Sequence, residues 1–361
     1  MKRCLLPLLL IVCTFASSAL AGSLFVPARY SDEVAVINTS TGQVVTQIPV
    51  GSFPIRIAIT PDRRKAFVSN ALSANVSVLD TVTRTNIATI PVGNVPGESA
   101  ITPDGRRLFV VHEAAGSNGT CPVYVIDTAT NQVIRTVLLP GSQLKDIVFS
   151  PDGSFAWVSN NSNGEVDAID TATYQVTSIP TGGRPRRLTV SSSGDRVYTP
   201  NNGSDTLSAI DTATKQVIAD IPVGQRPIGI AITPNDQELY VTNQQDGTVS
   251  VINTTTLSVV ATIPTGNLCQ RVVITHDGTK AFVQNGYSDT VSAINTATHT
   301  VSATIPVGHH PWTMLGSLND KKLYVCNSTD TTVSVIDIPS LTVFGTIADV
   351  GSAPFDLAFG P

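Results

Sequence analysis

Charged residues make up only 14% of this 361-residue chain, and the acidic ones outnumber the basic ones by 27 to 22. A protein so poor in positive charge lacks the electrostatic footing for general affinity to nucleic acid, so no nucleic-acid partner is expected. Cysteine is scarce as well. Five are present, and two of them, Cys4 and Cys13, fall within the first 21 residues. The three beyond, Cys121, Cys269 and Cys326, are too few and odd in number for a disulfide framework, although Cys269 and Cys326 are close enough in their repeats for a bridge to be conceivable. Cys-x-x-Cys, Cys-x-x-Cys-His and His-x-x-x-His are all missing from the sequence, as is a glycine-rich phosphate loop leading into a helix. No cofactor and no metal site are expected. Beyond residue 21, no apolar run approaches the roughly twenty residues that span a bilayer, so no membrane span is expected. Nor does any stretch show the 3.6-residue period of an amphipathic helix.

The first 21 residues have their own character. Lys2 and Arg3 precede an apolar run from Leu5 to Phe15, and Ala19-Leu20-Ala21 closes the segment. A basic start, about ten apolar residues and a small-residue exit predict a cleavable secretory signal over 1–21, with the mature chain, 22–361, forming one domain. The product is then periplasmic or secreted. Removing Lys2 and Arg3 leaves 20 basic residues against 27 acidic ones, a net charge of about −7.

Self-comparison organises the remainder. The phrase Ile-Pro-Val-Gly, or a near relative, recurs eight times and ends at Gly51, Gly93, Gly141, Gly182, Gly224, Gly266, Gly308 and Gly351. The intervals are 42, 48, 41, 42, 42, 42 and 43 residues. Between glycines each unit carries a Pro-x-x-Ile-Ala-Ile-Thr-Pro-Asp segment, clearest at Pro54–Asp62. An aromatic-Val-x-Asn segment follows, as in Trp157-Val158-Ser159-Asn160, and then a Val-Ser-Val-Ile-Asp segment, as in Val333–Asp337. Each alternates apolar and polar residues over four to six positions, the period of a strand, and turn residues such as Pro-Asp-Gly separate them. Four strands in a tandem unit of this length predict an all-β chain folded as a β-propeller.

The ends set the number of blades. Seven full intervals give 28 strands. The N-terminal side adds Leu24–Ala28, Val34–Asn38 and Val44–Val50, and the C-terminal side adds Phe355–Phe359. That makes eight four-stranded blades, one of them stitched from both termini so that the ring has no open edge.

These segments resemble the YVTN-type β-propeller repeat, present literally as Tyr240-Val241-Thr242-Asn243 and followed by Val249–Asn253 and Ile263-Pro264-Thr265-Gly266. The resemblance covers residues 23–361. It implies kinship with YncE-like exported propellers and, more loosely, with lactonase-like and surface-layer propellers. Those relatives usually have seven blades, which makes seven the alternative to eight. Their functions are diverse, so the fold by itself does not name one.

Eight copies serve as an internal control. A residue type found in nearly every copy belongs to the scaffold, and an exception calls for another account. The Asp or Asn after each third strand and the Asn ending most second strands are scaffold by this test; a calcium ring would need carboxylates clustered within each turn. Five residues past each glycine, however, the series reads Arg56, Glu98, Asp146, Arg187, Gly229, Arg271, Thr313 and Asp356. This position opens the first strand, expected innermost, and predicts a charged ring at the channel mouth. Two readings stay open for it: a polar-ligand site, or weak surface ion pairs.

One unit departs further. It carries His112 and Glu113 where others have Asn, and its next loop is five residues longer. His112, Glu98, Glu113 and Asp146 are expected to converge on one sector of the mouth, where such groups can bind a metal or act as acid and base. His310 and Trp312, together with Arg184, Arg186 and Arg187, are the other exceptions near this face. Two functions follow. One is a non-catalytic propeller binding a small polar ligand or an envelope protein at the mouth, through Arg56, Glu98, His112, Asp146, Arg187, Arg271, His310, Trp312 and Asp356. The other is a lactonase-like hydrolase in which His112, Glu98, Glu113 or Asp146 activates water.

Overall fold

A computed structural model describes residues 22–114 and 119–361. The expected signal segment and part of the lengthened loop after Glu113 lie outside the described residues. Thirty-two strands run from β1 (Ser23–Ala28) to β32 (Ala358–Phe359), with no helix among the described residues. They form eight four-stranded antiparallel sheets, and the chain is an eight-bladed β-propeller. Seven blades are consecutive meanders. The eighth, called blade 1, joins β1, β2 (Glu33–Asn38) and β3 (Gln43–Pro49) to β32. Its seam pairs Leu24 with Phe359 and Phe25 with Ala358. Blades 2 to 8 follow in chain order.

The burial patterns explain why these residues form these strands. Second and third strands are buried along most of their length, as in KAFVSN of β5 (Lys65–Asn70) and NVSVLD of β6 (Asn75–Asp80), because both faces of a blade are covered by neighbours. Fourth strands alternate exposed and covered positions, as β19 (Gln216–Pro222) does, because they form the outer rim. Eight apolar clusters lie one in each gap between neighbouring blades. The gap between blades 8 and 1 holds Leu24, Val26, Tyr324 and Val333; that between blades 1 and 2 holds Phe25, Val36, Val68 and Leu79. Each fully buried side chain of this size contributes about 1.5–3 kcal/mol, so the seams hold the ring without a covalent staple. Cys121, Cys269 and Cys326 are free and buried. The conceivable bridge between Cys269 and Cys326 is not made, because each thiol is spent inside a different seam. Cys269 donates to the Asn243 carbonyl, and Cys326 lies against the Asp356 carbonyl.

The recurrent polar residues have scaffold roles. Asn243 is fully buried and donates through Nδ2 to Thr248 and Ser250, and Asn201, Asn285 and Asn327 repeat the pattern. The repeat glycine is its companion. A Cβ on Gly224 would stand 2.6 Å from Asn243 Cγ, and one on Gly308 would stand 2.4 Å from Asn327 Nδ2. The Asp or Asn after each third strand closes a turn, as where Asp170 Oδ1 accepts from the amides of Ala172 and Thr173.

Candidate functional site

The first strand of each blade lies at the channel, and most of these strands carry a β-bulge. In blades 2, 4 and 8 the register slips between Pro54 and Arg56, Leu144 and Asp146, and Pro311 and Thr313. In a regular strand successive side chains point to opposite faces. The bulge changes that, and two consecutive residues turn toward the axis. The channel therefore has two tiers. The throat is the column five residues past each glycine; the rim is the column four residues past it, which reads Ile55, Gly97, Lys145, Arg186, Ile228, Gln270, Trp312 and Phe355. Seven of these eight line one cavity of about 260 Å³. The exception is Gly97, whose missing side chain leaves room for Glu113, 2.8 Å from where a Cβ would sit.

Neighbouring blades pin the rim backbone. Ser159 donates to the Arg186 carbonyl at 2.6 Å, Thr242 to that of Gln270 at 3.2 Å, and Gln284 to that of Trp312. The rim side chains thus project from a fixed platform. They divide into two arcs. Trp312, Phe355 and Ile55 form an apolar arc, where Ile55, Ala71 and Phe355 pack with Phe53, Val95 and Trp312. His310 stacks on Trp312 at 5.8 Å, Trp312 on Phe355 at 4.9 Å, and the Arg29 guanidinium lies 4.1 Å from the Phe355 ring centroid and 4.3 Å from that of Phe53. The opposite arc is ionic, with Lys145 paired to Glu113 at 2.8 Å beside Arg186.

In the throat, Glu98 lies between two arginines, paired through Oε2 with Arg56 Nε and through Oε1 with Arg187 at 3.1 Å. Arg187 also reaches Asp146 at 3.4 Å. Burial favours the protonated form of Glu98, yet Arg56 and Arg187 outweigh it and hold its pKa down at about 2. Asp146 is buried as deeply but is ion-paired only to Arg187, and burial pushes it up to about 6. Burial raises Asp356 as well. Both aspartates also serve the seams, since Asp146 accepts from the Leu188 amide at 2.8 Å and Asp356 from the Ile57 amide at 3.2 Å. The weak surface ion pairs considered for this column are instead largely buried pairs inside the channel.

Arg271 differs from the other throat arginines. It makes no ion pair among the described residues, and its Nη2 is buried with no hydrogen-bond partner. Burial, followed by repulsion from Arg187 and Arg56, lowers its pKa to about 10 against the weaker attraction of Asp356 and Glu98. Arg29 and Arg186 also line the cavity without an ion pair, and burial lowers the pKa of each.

Of the residues expected at the mouth, Arg56, Arg187, Arg271 and Trp312 line this cavity, and Glu98, Asp146 and Asp356 stand among them in the throat. His310 supports Trp312 from behind, its Nδ1 2.8 Å from the Ser328 hydroxyl. His112 does not converge with Glu98, Glu113 and Asp146. It occupies the scaffold position of Asn243 in its own blade, fully buried, with Nδ1 3.0 Å from the Pro122 carbonyl and its ring against Tyr124. An imidazole there replaces the buried amide and faces away from the channel cavity. Among the described residues, no three His, Cys, Asp or Glu side chains come together as a metal site. Of the rim column, the sequence marks Arg186 and Trp312 as exceptions but not the other six residues, nor Arg29. The rim column did carry a signal, because no residue type appears in it more than twice.

The family model of lactonase, a seven-bladed β-propeller, matches residues 83–217 and 147–260, together just under half the chain. No curated protein matches the chain. Among solved structures, hydrazine synthase from Kuenenia stuttgartiensis is similar with 22% identity and a TM-score of 0.62, over 79% of this chain and 95% of that one. The dihydro-haem d1 dehydrogenase NirN in complex with DHE has 13% identity and a TM-score of 0.79, over 94% of this chain and 75% of that one. A functionally unknown protein from Desulfotomaculum acetoxidans has 17% identity and a TM-score of 0.64, over 94% and 98%. At these identities the likeness is one of fold.

Proposed function

We propose that this chain is an exported binding propeller whose ligand is a small anion held at the mouth of its channel. One observation carries the proposal: Arg29, Arg186 and Arg271 line a single cavity and make no ion pair among the described residues, in a chain of net negative charge. A guanidinium withdrawn from water without a partner is unfavourable, and an oxyanion relieves it through charge-assisted, often bidentate hydrogen bonds. Arg56 and Arg187, already paired with Glu98 and Asp146, supply further positive field. The apolar arc at Trp312 keeps water from the ions and strengthens their attraction. Kinship with YVTN-repeat exported propellers belongs to the same proposal, supported by the repeated phrases, as does a cleaved leader over residues 1–21. N-terminal sequencing of the mature protein should begin at Gly22.

Calorimetric titration with acetate, sulfate and phosphate in low-chloride buffer tests the reading. Binding should weaken as salt is added and fall about tenfold or more in Arg271→Met, since a charged hydrogen bond is worth about 1.5–3 kcal/mol. No binding by any of these anions, with no salt effect on the melting temperature, would remove the proposal.

The family match favours a second reading, a lactonase-like hydrolase on the same face. Glu98, Glu113 or Asp146 would activate water there, with Arg56 or Arg187 holding the substrate; His112 has no access to that cavity. A lactone-hydrolysis assay separates the two, since turnover that disappears in Asp146→Asn would replace binding by catalysis.

A further inference from the structure

We infer that the anion is a short dicarboxylate, with one carboxylate down on Arg271 and the other at the rim on Arg186. The inference rests on the reading of the mouth as an anion site and adds the number and spacing of the charges. Six cationic side chains line the cavity, Arg29, Arg56, Lys145, Arg186, Arg187 and Arg271. Four carboxylates stand at or beneath it, Glu113, Glu98, Asp146 and Asp356. When all are ionised two positive charges remain, and a dianion neutralises them; of the three arginines without an ion pair, Arg29 is already held between the Phe53 and Phe355 rings, which leaves Arg186 and Arg271.

The two charges have to be apart. Arg186 belongs to the rim of blade 5 and Arg271 to the throat of blade 7, so they differ in level and are separated by a whole blade. Blade 6, between them, has Gly229 at its throat position. That glycine is required, because a Cβ there would stand 2.2 Å from the Gln270 carbonyl. Blade 6 consequently places no throat side chain between the two arginines, and its rim residue, Ile228, gives that path an apolar wall. A chain of methylenes lying over Ile228 and Gly229 would join the two carboxylates. The cavity, about 260 Å³, falls below the roughly 300–1,000 Å³ of pockets that take drug-sized ligands. The ligand is correspondingly short.

The test is calorimetric titration at low ionic strength with malonate, succinate, glutarate and adipate, each beside a monocarboxylate of equal chain length, and with sulfate as a dianion whose charge is at one point. One member of the series should bind about tenfold or more tightly than both its monocarboxylate counterpart and sulfate. Arg186→Met and Arg271→Met should each reduce it to the level of the monocarboxylate. Arg186→Met keeps the test available if the throat variant fails to fold. Sulfate binding as tightly as the best dicarboxylate, or equal binding of mono- and dicarboxylates, overturns the inference and leaves the anion site standing. A complete lack of anion binding removes the site itself, and the two failures are therefore distinct.

Discussion

Exchanging Asp167 and Ser178 should stabilise the protein above pH 6 by as much as about 3 kcal/mol. Asp167 is fully buried on β14 (Glu165–Asp170), where blades 2, 5, 6, 7 and 8 carry Ser77, Ser208, Ser250, Ser292 and Ser334. It accepts from Asn160 Nδ2 at 3.0 Å and from the hydroxyl of Ser178, its register partner on the exposed fourth strand. Blade 5 has the opposite arrangement: Ser208 is buried on the third strand and donates to Asp220 on the exposed fourth. Burial raises the Asp167 carboxyl from 3.8 to about 6, against the pull of its two hydrogen bonds. At 1.36 kcal/mol per pKa unit, the ionised form costs the native state about 3 kcal/mol. The sign follows from proton counts. Between pH 3.8 and 6 the folded protein keeps a proton that the unfolded chain has released, so stability falls as pH rises through that window and levels off above it. Asp167→Ser/Ser178→Asp moves the carboxylate to the surface, while the introduced serine still accepts from Asn160. Urea unfolding from pH 4 to 7.5 is the assay. The wild type should lose about 2.4 kcal/mol relative to the double variant across that range, with the steepest change about 1.2 kcal/mol per pH unit. A variant less stable than the wild type at pH 7.5, or a difference independent of pH, would refute the reasoning.

Three other outcomes are expected. Gly224→Ala should destabilise by about 2–4 kcal/mol in urea unfolding, because its Cβ meets Asn243 Cγ at 2.6 Å and displaces an amide that bonds Thr248 and Ser250. His112→Ala should cost a similar amount, through the buried ring and the Pro122 carbonyl it leaves unpaired. Titration should find anion affinity unchanged in that variant, whereas a His112-dependent site would lose it. Anion binding should tighten several-fold from pH 7.5 to 5.5, because burial raises Asp146 to about 6 and its protonation removes a negative charge beside Arg187. Asp146→Asn should reduce that pH dependence to the part Asp356 contributes.

The architecture was legible in the chain because a propeller is a local code repeated. Each blade needs the same strand periods, the same Asx turns and the same pairing of glycine with asparagine, so eight copies announce themselves and the terminal strands supply the closure. The same redundancy exposed the throat, since Arg56, Glu98, Asp146, Arg187, Arg271 and Asp356 break a column that scaffold alone would make uniform. Comparison between copies also misled at one point. His112 is an exception because it substitutes for the buried asparagine of its own blade, and an unusual residue can serve the scaffold as readily as a site.

What the sequence by itself determined is the number of blades, their closure and the throat column, because these follow from strand period and repeat spacing. That the rim column joins the throat at the channel, and which arginines make no ion pair, were decided by tertiary structure alone. A β-bulge brings two successive residues to the channel where alternation allows one, and ring closure sets Arg187 against Glu98, two blades away, while leaving Arg271 without an ion pair among the described residues. Such pairings depend on distances across the axis, which the order of residues along a strand does not encode.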